Sequence, residues 1–317
     1  MDMSDAAGTS WLDVGNRCWS EYALKASNMR SDQMPKLLEG TQVASSVSKF
    51  IADELGIPSG VSVVAGAGDN AAAACGVGIT KEGQGFVSIG TSGVLLTARD
   101  TYTPLANSAV HTFCHAIPKT WYQMGVILSA TDSLNWLSSI TGKSPKELSE
   151  GLGHKINGPS FEKFYPYLSG ERTPLNDAHI RGGFSGLSTN SNRMKLTQAV
   201  LEGVAFALCD CLEALKKAGP CPDQLLAIGG GSRSRFWLET IATTLNTAIA
   251  RPIDGEYGAA MGAARLAILG KTSEPLNNIV SHPTISEIIE PRTDLSDLYS
   301  EAFDLYRGAP SHLKSIQ

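Results

Sequence analysis

Val63-Val64-Ala65-Gly66-Ala67-Gly68-Asp69-Asn70-Ala71-Ala72-Ala73-Ala74-Cys75-Gly76 carries an apolar run into two glycines, then an acid and an amide, then four alanines. It reads as a strand, a tight turn and the start of a helix, with Asp69 and Asn70 at the junction. At such a junction backbone N–H groups and the positive end of the helix dipole point the same way. An acid placed there can cap the helix, a position that Asp and Asn favour. It can also take a proton from a bound hydroxyl. On these residues alone the capping role comes first.

The flanking sequence extends the same texture. Trp11, Trp19 and Tyr22 are spaced as in packed loops with a short helix. Val43, Val47, Phe50, Ile51 and Leu55 fall at helical spacing and predict an amphipathic helix over 43–55, ended by Gly56-Ile57-Pro58. Residues 61–65 predict a buried strand and 70–78 a short helix of small residues. Past a turn at 81–85, residues 85–89 and 94–97 predict two strands of a hairpin joined by Gly90-Thr91-Ser92-Gly93. A strand over 121–128 and a helix over 131–140 follow. The stretch 141–192 is Gly/Pro-rich and irregular apart from a short helix near 144–151, a length that usually signals function or packing over a core. Then come a long helix over 192–217, a strand at 225–228 ending in Gly229-Gly230-Gly231-Ser232, a helix at 236–246, a strand at 249–253, a helix at 258–269 and a last helix at 295–306.

Alternation of strands and helices over 317 residues, with 42% hydrophobic residues, predicts an α/β protein with a sizeable core. A net charge of −5 without a long basic run argues against nucleic acid and anionic membranes as partners. The six cysteines, Cys18, Cys75, Cys114, Cys209, Cys211 and Cys221, form no Cys-x-x-Cys pair, and the reading is of reduced thiols in the cytoplasm. His111-Thr112-Phe113-Cys114-His115 is the one dense cluster of soft ligands. Zinc would need a fourth ligand, and no metal site is expected there.

Three glycine turns, at 66–70, 90–93 and 229–232, each follow a strand. Glycine lets backbone amides approach a ligand closely, and clustered N–H groups suit phosphate oxygens. One such turn is an ordinary turn; three, one with an acid at its tip, point to a phosphate-handling cleft. Known nucleotide motifs do not fit. Gly142-Lys143-Ser144 imitates the end of a Walker A loop, but Leu137 stands where its first glycine belongs. The 229–234 run lacks the third glycine of a dinucleotide fingerprint, and no Gly-x-Ser-x-Gly elbow exists. Glu171 and Arg172 read as a structural ion pair, Glu202 as a solvated or packed helix residue, and His111 and His115 as satisfied core or loop histidines.

Taken in order, several runs resemble the FGGY carbohydrate kinases, and within them the enzymes acting on a pentulose. The runs are Ser4-Asp5-Ala6-Ala7-Gly8-Thr9, Ala65-Gly66-Ala67-Gly68-Asp69-Asn70-Ala71, Ser88-Ile89-Gly90-Thr91-Ser92-Gly93-Val94 and Ala109-Val110-His111-Thr112-Phe113-Cys114-His115. They continue with Pro166-Tyr167-Leu168-Ser169-Gly170-Glu171-Arg172-Thr173-Pro174, Ala199-Val200-Leu201-Glu202-Gly203-Val204 and Ile228-Gly229-Gly230-Gly231-Ser232-Arg233-Ser234. The 166–174 run is the specific part. The family's second signature is recognisable over 182–202, with Lys195 where a polar or acidic residue is usual.

The resemblance implies an actin-like ATPase (ribonuclease H-like) fold and ATP-dependent phosphorylation of a pentulose, D-xylulose to D-xylulose 5-phosphate, with Mg²⁺. It implies Asp69 as the general base, Asn70 as a sugar contact, Gly90, Thr91, Ser92 and Gly93 as the γ-phosphate hairpin, and Gly229, Gly230 and Gly231 as the turn that lets the nucleotide lie against the next helix. It also reverses the capping reading of Asp69. Asp5-Ala6-Ala7-Gly8-Thr9 imitates the family's opening phosphate loop, but the spacing is one residue too long and no strand precedes it. The chain is therefore expected to lack most of the family's N-terminal domain. Residues 1–80 would be that domain's remainder, 81–295 a complete nucleotide-binding domain and 296–317 a helix and tail. The missing part would carry other sugar contacts and the carboxylate that holds Mg²⁺ through ATP; the expected partner is either a chain that supplies this part or a second copy in a homodimer. Two further readings stand beside this one: another sugar or polyol kinase of the family, and a non-catalytic nucleotide-binding remnant.

Overall fold

A computed structural model describes residues 1–253 and 258–308. The chain opens with small elements: α1 (Met3–Ala6), β1 (Leu12–Asp13) paired with β2 (Cys18–Trp19), and α2 (Glu21–Ala26). Next come β3 (Val43–Ser46), α3 (Lys49–Leu55), β4 (Ser62–Val64) and α4 (Asp69–Gly76). The larger part runs β5 (Gly85–Ile89), β6 (Gly93–Arg99), β7 (His111–Cys114), β8 (Trp121–Ile127), α5 (Thr131–Thr141), α6 (Pro145–Glu150), β9 (Lys163–Tyr165), β10 (Gly183–Ser185), α7 (Arg193–Ala218) and β11 (Gln224–Ile228). It closes with α8 (Arg235–Leu245), β12 (Ala248–Pro252), α9 (Gly258–Lys271), α10 (Leu276–Ile279), β13 (Ile285–Ile289) and α11 (Ser296–Gly308). The tail beyond 308 lies outside the described residues.

A seven-stranded mixed sheet, ordered β13-β12-β11-β5-β6-β8-β7, organises these elements. β5, β11 and β12 are parallel; β6, β8, β7 and β13 join antiparallel to their neighbours. Both faces are covered, so the central strands read as nearly continuous apolar runs. Val87, Ile89, Leu225, Ala227 and Ile249 point into one core with α5, α7, α8 and α11. Phe86, Leu96, Leu226, Ile228 and Ala250 point into the other, with α4 and α9. The α4–α9 crossing is close because both helices carry glycine: a Cβ on Gly76 or Gly262 would stand 1.7 Å from the carbonyl oxygen of Gly258 or Ala72. Long α7, capped by the Asn192 side chain accepting from Lys195 N, buries nearly all its residues from Thr197 to Leu215. Among the described residues no helix is long and apolar enough to cross a membrane, and all six cysteines are free.

The expected helix over 43–55 is instead a strand, β3, and a shorter helix, α3. The Ser48 side chain accepts from Ile51 N and restarts the chain as a helix there, leaving Val43 to pair with β4. The strand expected as buried is half-exposed: β4 pairs with β3 outside the large sheet, and Val61 and Val63 are each 41% exposed. β7, β9, β10 and β13 had no clear signal, being three to five residues long.

Candidate active site

Strands β5 and β11 lie side by side, Ser88 facing Ile228, and run the same way. From their carboxyl ends the chain departs in opposite directions, β5 turning into β6 and β11 passing through α8 to β12. Such a reversal leaves a crevice at the strand ends, the usual ligand position in α/β sheets. Here two of the three glycine turns touch. Gly229 has φ +84°, and a Cβ on it would lie 2.9 Å from Ile89 O and 3.2 Å from Gly90 N; on Gly231 it would lie 2.3 Å from Ile89 Cγ2. The approach is so close that a side chain at either position would force its neighbours to shift.

The hairpin tip is held from behind by the start of α5. Ala130 N donates to Thr91 O (2.8 Å) and Thr131 N to Gly90 O (2.9 Å), while Thr91 and Ser92 are exposed. Beside it opens a cleft of about 560 Å³, bounded by Thr131 and Asn135 of α5, Ser149 of α6, His154, and Gly230 and Gly231. The Ser149 and Ser234 hydroxyls, 2.8 Å apart, join α6 to the start of α8. Asn135, Ser149 and His154 lie in or near the stretch read as irregular. Their only sequence signal is Ser144 with Glu147 three residues on, a capping box that the structure forms. Gly142 is the left-handed C-cap of α5, so the Walker-like triplet is a helix–helix connection.

The third turn belongs to the layer on the other face of the sheet. Gly68, not Asp69, is the N-cap of α4, and it provides no side chain. Asp69, expected from its residue type to be the cap, is instead the first helical residue. Its Oδ1 accepts from Asn70 N (2.7 Å) and Asn70 Nδ2 (3.0 Å), and the carboxylate is otherwise exposed. Ser4 Oγ accepts from Gly68 N (3.0 Å), and Asp5 lies over Gly68. The charges of Asp69, Asp2 and Asp5 reach the buried Tyr122 phenol and, after burial itself, help to raise its pKa.

The 166–174 motif differs from its sequence reading. Glu171 and Arg172 form no ion pair: Glu171 is buried, and its Oε1 accepts from Leu128 N (3.0 Å) and Arg172 N (2.7 Å). Glu202 is also buried, accepting from Ser160 N, Gln198 Nε2 and Tyr299 OH. Burial pushes both acids up to about 7. His115 is a satisfied core histidine: its Nδ1 accepts from Ile117 N, its Nε2–H donates to Ile79 O, and burial lowers its pKa to about 4. His111 packs on Phe113, and Cys114 Sγ donates to Val14 O. Among the described residues no group of three or more His, Cys, Asp or Glu side chains could hold a metal ion. Lys195 faces the buried Glu162 at 3.9 Å.

Comparison with known proteins gives a consistent result. Residues 85–270 match the C-terminal domain of the FGGY family of carbohydrate kinases, and residues 1–76 match the N-terminal domain of the same family. The expectation that the chain lacks most of that N-terminal domain is not borne out. A xylulose kinase of Escherichia coli (strain K12) is 41% identical over 274 residues, covering 86% of this chain and 56% of the relative. One from Bacillus subtilis (strain 168) is 33% identical over 319 residues, covering 99% of this chain and 64% of the relative. The crystal structure of a "xyloylose kinase" from Brucella ovis superposes with a TM-score of 0.95 at 50% identity, over 100% of this chain and 65% of that one. The chain thus spans between half and two thirds of the length of these relatives.

Proposed function

The chain belongs to the FGGY family of carbohydrate kinases, and from that premise we propose that it phosphorylates a pentulose with ATP, converting D-xylulose to D-xylulose 5-phosphate. The acceptor is supported by relatives named as xylulose kinases. The donor is supported by one observation above all: two glycine turns in contact at the ends of parallel β5 and β11, opening on a cleft of about 560 Å³. Within this reading residues 81–295 form the nucleotide-binding domain.

Phosphoryl transfer depends mostly on positioning and charge stabilisation. In the proposed arrangement the amides of 90–93 and the Thr91 and Ser92 hydroxyls donate to the γ-phosphate. Gly229, Gly230 and Gly231 let the nucleotide lie against α8. Asn70 binds a sugar hydroxyl, and Asp69 takes the proton from the attacking one. The Asp69 carboxylate suits that role because it is exposed and, among the described residues, committed only to Asn70. The described residues offer Mg²⁺ no cluster of three ligands.

Sugar-dependent ADP release by the purified protein with ATP and D-xylulose tests the reaction. Replacing Asp69 by Asn should lower kcat by roughly 10²–10⁴-fold, the range of a general base, with ADP affinity within about threefold of the parent. Near-normal turnover by D69N would exclude Asp69 as the base. ATP binding without sugar-dependent ADP release by the unmodified protein would instead favour a nucleotide-binding role without catalysis.

A further inference from the structure

Glu171 is 2% exposed, and among the described residues its Oε2 has no hydrogen-bond partner. A buried, half-satisfied carboxyl is costly and calls for a reason. Its surroundings supply one. Beyond His111 the edge of the sheet next to β8 is taken over by residues 171–173. Thr173 N donates to Val126 O (3.0 Å), Val126 N to Thr173 Oγ1 (3.1 Å) and Leu128 N to Glu171 Oε1 (3.0 Å). Thr173 Oγ1 in turn donates to Ala109 O (2.9 Å). Glu171 also pairs by backbone with Asp177, closing the loop between them. The β8 end thus anchored leads directly into Ser129, Ala130 and Thr131. The amides of Ala130 and Thr131 hold the carbonyls of Thr91 and Gly90.

We propose that Glu171 is a positioning residue for the 90–93 hairpin: by holding Leu128 N it sets where the 128–131 segment, and therefore the hairpin tip, stands at the mouth of the cleft. The role of that tip toward phosphate rests on the function proposed above; the mechanical link does not. Only the Oε1 side of the carboxyl does the anchoring. The Glu171 charge opposes ionisation of Tyr167, Cys211 and Tyr306. Burial, with the Asp210 charge adding to it, lifts Glu171 to about 7 against its two backbone donors. A neutral amide can therefore replace the acid and keep the anchor.

Amide hydrogen exchange on the full chain, without nucleotide, tests the link in Glu171→Gln, Glu171→Met and Glu171→Ala. Met fills the same volume without an acceptor and guards against a variant that fails to fold. The expected result is exchange at least tenfold faster in the Met and Ala variants at residues 128–132, whose amides hold Glu171 Oε1 and the carbonyls of Gly90 and Thr91, with α7 and α9 unchanged. The Gln variant stays within about threefold of the parent. Unchanged exchange at 128–132, equal loosening by Gln, or uniform acceleration throughout the core would each overturn the proposal. Where the parent binds nucleotide, its preference for a non-hydrolysable ATP analogue over ADP should fall at least fivefold in Glu171→Met. A parent that binds none would sink the kinase reading, while the exchange data would still decide the role of Glu171.

Discussion

Asp69 and Glu202 are both carboxylates on helices, yet their surroundings separate what each can do. Asp69 is exposed and held by its neighbour Asn70, whereas Glu202 is enclosed by Ser160, Gln198 and Tyr299. Burial raises the Glu202 pKa from 4.5 to about 7. The folded state therefore holds this proton more tightly than the unfolded chain. The stability it contributes is full below about pH 4.5 and is lost as pH rises through about 7. Glu202→Gln cannot ionise and keeps an acceptor oxygen. Its stability should match the parent at pH 5 within about 1 kcal/mol and exceed it by on the order of 3 kcal/mol at pH 8, at about 1.4 kcal/mol per pKa unit. Urea denaturation at the two pH values checks this. An equal difference at both would mean that the carboxyl is ionised throughout. The sequence could place Glu202 on a helix but not tell burial from solvation. Nor could it show that Glu171 turns its carboxyl toward Leu128 N, because that partner is 43 residues away.

At the scale of elements, the glycines do the most legible work. The turns at 90–93 and 229–232 were recognisable as turns, and the structure adds that they touch. Gly231→Ala should therefore push against Ile89, weakening ATP binding at least tenfold and costing about 1–3 kcal/mol, the usual range for overpacking; calorimetric titration and thermal melting read the two effects. Gly262 has the same kind of constraint without a part in the cleft. A Cβ there would stand 1.7 Å from Ala72 O. Gly262→Ala should lower Tm while leaving nucleotide affinity in the surviving folded protein within about twofold. The 43–55 segment shows where local pattern misleads. Its apolar residues sit at helical spacing, but Phe50 and Leu55 are 76% and 65% exposed. Spacing reports what a helix would align, and carries no information on whether a surface exists to receive it.

Across the whole molecule, two cores on either face of one sheet bring distant segments together. α11 packs Tyr299, Ala302, Phe303 and Tyr306 into the same core as α7 and α8, and the Tyr306 and Tyr167 hydroxyls are 2.7 Å apart. Ending the chain at residue 295 should uncover Phe206 and Tyr165, which stack against this helix. At about 1.5–3 kcal/mol per large buried side chain, the loss should lower Tm by well over 10 °C or prevent folding. An unchanged melting temperature would show that α11 docks only weakly.

The linear chain determined whatever depends on neighbours within a few residues: the α/β class, most strands and helices of the large sheet, the glycine turns and the ordered motifs of a carbohydrate kinase family. Glycine, capping residues and apolar periodicity act through local backbone geometry, so they survive in one dimension. Tertiary structure alone decided that two of the three turns meet, and that Glu171 is a buried anchor and not half of an ion pair. Those outcomes depend on which segments become neighbours across the sheet and on how much water each group loses there.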